Sequence, residues 1–372
     1  MIDKNIYEKL HQIGIDVEYK ESGDYPAFRK KYAGKKILLL CDQNTLRYAK
    51  DLKIEEKQIC FIDQKEPIPD ESVCTQAIKE AEKSDYILAV GSGTLNDVAK
   101  YTALTLKKKS GVLATAPSMD GYASPVAAIM RNGFKVSKEA HAPSDILIDA
   151  KILAEAPSEM IAAGAGDILG KYTCLTDWRL AQFHTGEKVN EVAFGDILDA
   201  VDKFSLATED IIRRDEKGIE KLTDALIISG LAMAESGNSR PASGAEHHIL
   251  HYLEMWFVAQ KKCVPLHGIK VGLGTLVSAY LYKTLEKDGV SFVGDKETYQ
   301  AAGMIPSVES LRKTLMQLGA PIRFSELKIS SELFRETIMH AYTVRSRYTI
   351  LTLLHELGLI EHYLPKLEEL FY

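Results

Sequence analysis

The sequence predicts an α/β domain over residues 1–150 followed by an all-α domain over residues 151–372. Three observations lead there. Short apolar runs such as Lys36-Ile-Leu-Leu-Leu-Cys41 and Tyr86-Ile-Leu-Ala-Val90 alternate with helix-like stretches up to residue 149, a pattern of parallel strands buried on both faces and joined by right-handed βαβ crossovers. Beyond residue 151 strand signals fade and long helical periodicities run to the C-terminus. A chain of 372 residues also suffices for two cores at roughly 100–200 residues per domain. With no internal repeat or low-complexity linker, the domains are expected to pack closely with the active site in the cleft between them.

In order, residues 1–34 are mixed and partly amphipathic, and the first clear strand begins after Ala33-Gly34. A helix over 45–52, a strand over 58–62, a helix over 71–83 and a strand over 86–90 follow, then a helix over 97–106 and a strand over 111–115. Val126-Ala-Ala-Ile-Met130 and Phe134-Lys-Val136 read as a hairpin closed at Asn132-Gly133. Asp145-Ile-Leu-Ile-Asp149 is one more strand. Helices are expected over 152–182, 190–213, 217–236, 245–258 and 267–286, with several more from 296. The apolar stretch Tyr348 to Leu359 is a candidate for pairing subunits in a homodimer or larger oligomer.

Composition excludes several classes. Against 46 Lys and Arg stand 52 Asp and Glu, a net charge of −6 without a long run of either sign, so no nucleic-acid surface is expected. Cys41, Cys60, Cys74, Cys174 and Cys263 are odd in number and far apart, which indicates neither a disulfide framework nor a cysteine zinc site. The N-terminus lacks the pattern of a signal peptide and no apolar run reaches a membrane span. A cytoplasmic protein without membrane partners is expected.

The chemistry-bearing residues gather in a few stretches. Three of the ten histidines lie within residues 247–251 and His267 follows. On a helix His247 and His251 share a face, while His248 is turned away by about 100°. Such imidazoles suit a borderline divalent ion. Asp167 and Lys171, in Ala162-Ala-Gly-Ala-Gly-Asp-Ile-Leu-Gly-Lys171, are either a helix ion pair or a third ligand with its neighbour. Spacing alone leaves both open. Gly91-Ser-Gly93 sits where a strand hands over to a helix, a place that cradles phosphate on free N–H groups but also an ordinary glycine turn. It follows the third expected strand and lacks a third glycine in G-x-G-x-x-G register. Asp42, ending the first clear strand, is placed either to meet a ribose or to form a turn. Thr115-Ala-Pro-Ser-Met-Asp-Gly-Tyr-Ala-Ser124 is a loop over the sheet's C-terminal edge that turns Asp120 toward a ligand.

Taken together, Gly91-Ser-Gly-Thr-Leu-Asn-Asp97, Thr115-Ala-Pro-Ser118 with Asp120, Ala163-Gly-Ala-Gly-Asp-Ile-Leu-Gly-Lys171, Ser239-Arg-Pro-Ala-Ser-Gly-Ala-Glu-His-His248 and Leu266-His-Gly268 resemble the sn-glycerol-1-phosphate dehydrogenase family, and its bacterial arabinose-operon branch in particular. That family lies in the superfamily of iron-containing alcohol dehydrogenases, glycerol dehydrogenases and 3-dehydroquinate synthases. The resemblance implies a dehydroquinate synthase-like fold and interconversion of dihydroxyacetone phosphate and sn-glycerol 1-phosphate with NAD(H) or NADP(H), in the service of phospholipid biosynthesis. It further implies that Asp167, His247 and His267 bind one divalent metal, zinc or nickel, with iron also admitted by the ligand set. Asp120, Asp167 and His251 would contact substrate, and Asp120 and His251 would be catalytic. Gly91, Gly93, Thr94, Leu95, Asn96, Asp97, Thr115, Ala116, Pro117, Ser118 and Ser124 would line the dinucleotide, with Asp42 on its ribose. His248 would be a bystander. His251 or a coordinated water would supply the proton, and Arg240, Lys171 and Lys270 are candidates by position for the substrate phosphate.

Within the same resemblance, glycerol dehydrogenase keeps the Asp and two His ligands but needs no phosphate pocket. The dehydroquinate synthases differ in having a Glu as first ligand. A zinc peptidase reading of His247-x-x-x-His251 fails because position 248 is His where a general-base Glu is required.

Overall fold

The computed structural model describes residues 1–64, 67–131, 134–287 and 296–372. It forms two compact units, Met1–Ala156 with Arg213–Ala234 and Pro157–Ile212 with Glu235–Tyr372. The expected boundary at residue 150 lies a few residues from the first of these divisions. Arg213–Ala234, expected in the helical half, groups instead with the α/β unit.

The first unit is built on strands β1 (Asp16–Tyr19), β2 (Ile37–Asp42), β3 (Lys57–Ile62), β4 (Tyr86–Gly91), β5 (Lys109–Ala114), β6 (Val126–Arg131), β7 (Phe134–Glu139) and β8 (Asp145–Ile148). Six of them form one parallel sheet in the order β1-β8-β5-β4-β2-β3. Every residue of β2, β4 and β8 is buried, as continuous apolar runs require when helices cover both faces. Because β3 lies on one side of β2 and β4 on the other, the strand order reverses there, and a doubly wound sheet opens its ligand crevice at such a point. The C-terminal ends of β2 and β4 carry Asp42 and Gly91.

β1 was not expected from the sequence. It is an edge strand with Val17 alone buried, too short for its alternation to register. β6 and β7 pair antiparallel as a separate ribbon, as expected, while the turn assigned to Asn132-Gly133 lies outside the described residues. The helix Glu216–Ser236 joins this unit for local reasons. At Gly230 an added Cβ would lie 3.0 Å from the Asp120 carbonyl and 2.9 Å from the Ala123 Cβ, so the helix backbone rests directly on the loop bearing Asp120. Tyr19 donates to Asp224 at 2.5 Å, tying the same helix to β1.

The second unit is helical and centres on Ser158–Thr185, a 28-residue helix buried on nearly all sides between Ile161 and Ala181. A helix apolar and buried all round belongs in a core. Pro157 separates it from the short helix Ala150–Ala154, where the sequence reading ran one helix through both, because proline cannot donate to the preceding turn. Against the long helix packs His267–Lys287, and the contact is backbone on backbone. A Cβ at Gly268 would sit 1.7 Å from the Ala163 carbonyl oxygen, and one at Gly166 2.3 Å from that of Gly268. No side chain fits between them. Ile350, Leu351, Leu353 and Leu354 are buried, so most of the apolar stripe proposed for subunit pairing serves this unit's own core. Among the described residues no helix is long and apolar enough to cross a membrane, and no disulfide joins any of the five cysteines.

The crossing yields a direct test. Gly268→Ala is expected to destabilise the second unit by about 3 kcal/mol or more, since the helices must separate to admit the methyl group. Gly195→Ala, in a helix where nothing lies within 4 Å of the new Cβ, should instead stabilise by about 0.4–1 kcal/mol. Chemical denaturation followed by far-UV circular dichroism separates the two; equal effects would contradict the packing account.

Candidate metal centre and nucleotide loop

The crossing of Gly166 and Gly268 brings together their chain neighbours Asp167 and His267. The third member, His247, comes from the helix Ala245–Ala259, and the ligand atoms of Asp167, His247 and His267 all lie within 4.8 Å of one another. The rings of His247 and His267 have centroids 5.2 Å apart at 54°. Two imidazole nitrogens and one carboxylate oxygen converging in this way fit a divalent ion held by three protein ligands with a position left for substrate.

The surroundings fit such an ion as well. Asp167 and His247 are buried, and burial, reinforced by His267 and Lys171, pushes the His247 imidazolium well below its ordinary range. A neutral imidazole is the form that ligates. Glu246 orients it: its Oε1 accepts from the Gly244 N–H at 2.6 Å and lies 2.8 Å from His247 Nδ1. The Nδ1 proton is therefore assigned to that bond, which leaves Nε2 for a metal. Thr173 donates to the other Glu246 oxygen at 2.8 Å. Burial, followed by the charge of Asp177, raises the Glu246 carboxyl to about 7.

Asp177 is a second buried acid with a structural role. Tyr282 donates to its Oδ1 at 2.6 Å and the Ile350 N–H at 2.7 Å, while the Ala245 N–H donates to Oδ2 at 2.6 Å. One carboxylate on the long helix thus satisfies first-turn N–H groups of two other helices, where negative charge is favoured. Burial raises its pKa.

Lys171 donates to Asp167 Oδ1 at 2.8 Å and to the Ala242 carbonyl at 3.2 Å. The helix ion pair and the place in the ligand cluster, held apart in the sequence, thus coexist. Lys270 is bonded to Glu254 at 3.0 Å and to the Pro265 carbonyl at 2.6 Å. Arg240 is bonded to Glu187 at 3.0 Å and to the Tyr348 carbonyl at 2.6 Å. All three cations are buried, and each has a carboxylate beside it. His251 lies one turn from His247, with ring centroids 6.2 Å apart. Its Nε2 is 2.9 Å from Arg345 and its Nδ1 3.2 Å from Glu254. Because a guanidinium only donates, Nε2 is the acceptor and the proton sits on Nδ1. Burial above all lowers His251 to about 4.

In the first unit, β4 runs into the helix Gly93–Leu106 through Ser92. Among the described residues no side chain caps that helix, so its first N–H groups can face an anion. Neither glycine has a left-handed backbone; Gly91 is needed because a Cβ would lie 2.5 Å from the Leu95 side chain. Ser92 and Ser118 hydroxyls are 2.7 Å apart, and the Thr115 N–H donates to the Gly91 carbonyl at 3.1 Å, so the two loops form one rim with Ala116 and Pro117. Leu95 and Asn96 are buried, Asn96 donating to the Gly121 carbonyl at 3.2 Å. Asp97 pairs with buried Lys100 at 2.8 Å. The side chains of these three serve the fold. Asp42 Oδ1 accepts from the N–H groups of Asn44 and Thr45 and from the Thr45 hydroxyl, which realises the turn reading. Asp120 accepts from Ser229 at 2.8 Å, and Ser124 is buried nearby in the same loop.

Sequence reasoning missed Glu246, Asp177, Arg345 and Arg347. Arg345 is 94 residues from His251, and no local spacing signals that contact. The bond from Glu246 to His247 yields a prediction. Glu246→Gln should weaken metal binding about 10- to 100-fold, read by competition with a chromogenic chelator; unchanged affinity would remove Glu246 from the centre.

Comparison with known proteins places these features. A family model described as iron-containing alcohol dehydrogenase matches residues 16–157. The chain is 35% identical to glycerol-1-phosphate dehydrogenase [NAD(P)+] of Bacillus velezensis, covering 96% of this chain and 94% of the relative. It is 34% identical to the enzyme of that name from Sulfurisphaera tokodaii, over 76% and 73% of the two chains. A probable glycerol dehydrogenase from Sinorhizobium meliloti has the same fold, with a TM-score of 0.69 at 17% identity over 94% and 96% of the chains. An α/β unit ending in a glycine loop, a helical unit carrying an Asp-His-His cluster, and relatives above 30% identity over nearly the whole length converge: this chain belongs to the glycerol-1-phosphate dehydrogenase family, among the iron-containing alcohol dehydrogenases.

Proposed function

We propose that this chain catalyses the NAD(P)-linked, metal-dependent interconversion of dihydroxyacetone phosphate and sn-glycerol 1-phosphate. The observation that carries the reading is the convergence of Asp167, His247 and His267 within 4.8 Å, in a chain whose curated relatives bear that enzyme name over most of their length. When bound, a divalent ion supplies Lewis acidity toward the C2 oxygen and the nicotinamide supplies the hydride.

The protein's own groups do the rest. Asp167, His247 and His267 hold the ion, zinc or nickel in this reading, with His247 fixed in its ligating tautomer by Glu246. The uncapped start of Gly93–Leu106 and the rim of Thr115 to Ser118 receive the pyrophosphate. Asp42, at the switch point with Oδ1 held in its turn, would offer its other oxygen to the adenosine ribose and disfavour a 2′-phosphate, so NADH is the better coenzyme. His251 and Asp120 contact the substrate. At neutral pH His251 is uncharged, and with Nε2 held by Arg345 its proton faces Glu254. It therefore orients and orders the site rather than serving as a cationic acid, and water, the other donor expected from the resemblance, supplies the proton that completes the C2 hydroxyl.

Product stereochemistry tests the reading. Reduction of dihydroxyacetone phosphate by the metal-loaded enzyme should give sn-glycerol 1-phosphate, and His267→Ala should lower both bound metal and turnover, the latter by about three orders of magnitude. The opposite enantiomer, or full turnover after metal stripping, would overturn it.

A further inference from the structure

The candidates for phosphate recognition picked from the sequence are each held by a carboxylate, which leaves the site's anion partner unassigned. Arg345 and Arg347 answer differently. Arg345 donates to His251 Nε2 at 2.9 Å, and Arg347 to the Ser239 hydroxyl at 2.9 Å and the Ser243 carbonyl at 3.5 Å. Neither has a carboxylate ion-pair partner among the described residues. The two nearby acids are engaged elsewhere, Glu187 with Arg240 and Glu254 with Lys270 and His251. Asp177 also acts on Arg240 rather than on this pair, so Arg345 and Arg347 are left without an ion-pair partner of their own among the described residues.

The polar groups around the pair are equally incomplete. Among the described residues both ring nitrogens of His248, the Ser243 hydroxyl and Nη1 of Arg240 are buried without a hydrogen-bond partner. Such groups each carry the full cost of desolvation until a partner pairs with them, and each of the three residues has at least one donor to offer. Three of them gather in one place, since Ser243 is bonded to Arg347 through its carbonyl and the His248 ring feels Arg345, Arg347 and Arg240. Burial and the charges of Arg345 and Arg240 push the Arg347 guanidinium down to about 10, as expected of a cation without a counter-ion.

We infer that Arg345 and Arg347, with the orphaned donors of His248, Ser243 and Arg240, form the subsite for the substrate's phosphate dianion. The inference rests on the function proposed above and names the residues that select a phosphorylated substrate. A guanidinium is planar and presents paired donors that match a phosphate, and two of them balance its two charges. The placement also suits a three-carbon keto phosphate. Arg345 reaches the ligand cluster through His251, one helical turn or about 5.4 Å along the helix from His247, and the phosphate of such a substrate begins two atoms from its carbonyl carbon. His248 is then no bystander but a neutral donor to the anion.

The test uses the metal-loaded enzyme with Arg345→Met and Arg347→Met, singly and together, which keep the apolar stems, and Arg347→Lys, which keeps the charge. Bound metal is measured in each as a check that the centre is intact. Relative to wild type, the double variant should lose on the order of 100-fold or more in kcat/KM for dihydroxyacetone phosphate against unphosphorylated dihydroxyacetone, with Arg347→Lys in between. Titration with inorganic phosphate should show binding to wild type that the double variant lacks. An unchanged substrate ratio in metal-replete variants would overturn the inference while leaving the proposed activity standing. Should wild type reduce neither triose, the proposed activity falls and the phosphate titration decides alone: loss of binding in the double variant supports the anion subsite, and equal binding overturns it.

Discussion

The second unit depends on one backbone contact, the crossing of the helices Ser158–Thr185 and His267–Lys287 at Gly166 and Gly268. With a hypothetical Cβ at Gly268 only 1.7 Å from a carbonyl oxygen, the interaxial distance is shorter than side chains permit, and helix packing normally keeps axes roughly 8–10 Å apart with side chains between them. The closeness serves the site. Asp167 and His267 are the residues next to the touching glycines, and a wider crossing would carry their ligand atoms apart. A third helix is drawn in the same way, since a Cβ at Gly274 would meet the Glu246 carbonyl at 2.6 Å, and Glu246 precedes His247. Small residues on the long helix are what makes three ligands converge.

Close helices bury charge, and the unit has to satisfy what it buries. Asp167, Lys171, Asp177, Glu246 and Lys270 have almost no exposure, and each would be costly in isolation. The answer is dense hydrogen bonding: Lys171 on Asp167, three donors on Asp177, and Gly244, Thr173 and His247 around Glu246. Arg345, Arg347 and His248 depart from this pattern together: two half-buried guanidinium groups without an ion-pair partner among the described residues stand beside a buried ring with neither nitrogen bonded. Stability alone does not explain that imbalance; recognition of an anion does.

The division into an α/β half and a helical half and most helix spans were legible because each has a local signal: buried strands read as apolar runs and helices as periodicity. The Asp-His-His set was legible only through the resemblance its motifs carry, since spacing left Asp167 between an ion pair and a ligand. The rest depends on distance in space. β1 shows a single buried residue at a sheet edge, and the return of Glu216–Ser236 to the first unit rests on a glycine contact with a loop about 110 residues earlier. Asp42 could not be divided between turn and ligand, and the structure finds its Oδ1 in the turn. Lys171, Arg240 and Lys270 were chosen for the phosphate because they flank the motifs, yet proximity in sequence said nothing of the carboxylates that neutralise them. Arg345 and Arg347 carry no motif, and the fold alone puts them beside His251.

The account turns on a metal held at this glycine crossing. Anomalous diffraction from crystals of metal-loaded protein, recorded above and below the absorption edge of the bound element, addresses that claim most directly. It should show one ion per chain at about 2.0–2.2 Å from Asp167, His247 Nε2 and His267. A peak coordinated elsewhere, or a stoichiometric ion that misses any one of these three, would contradict it.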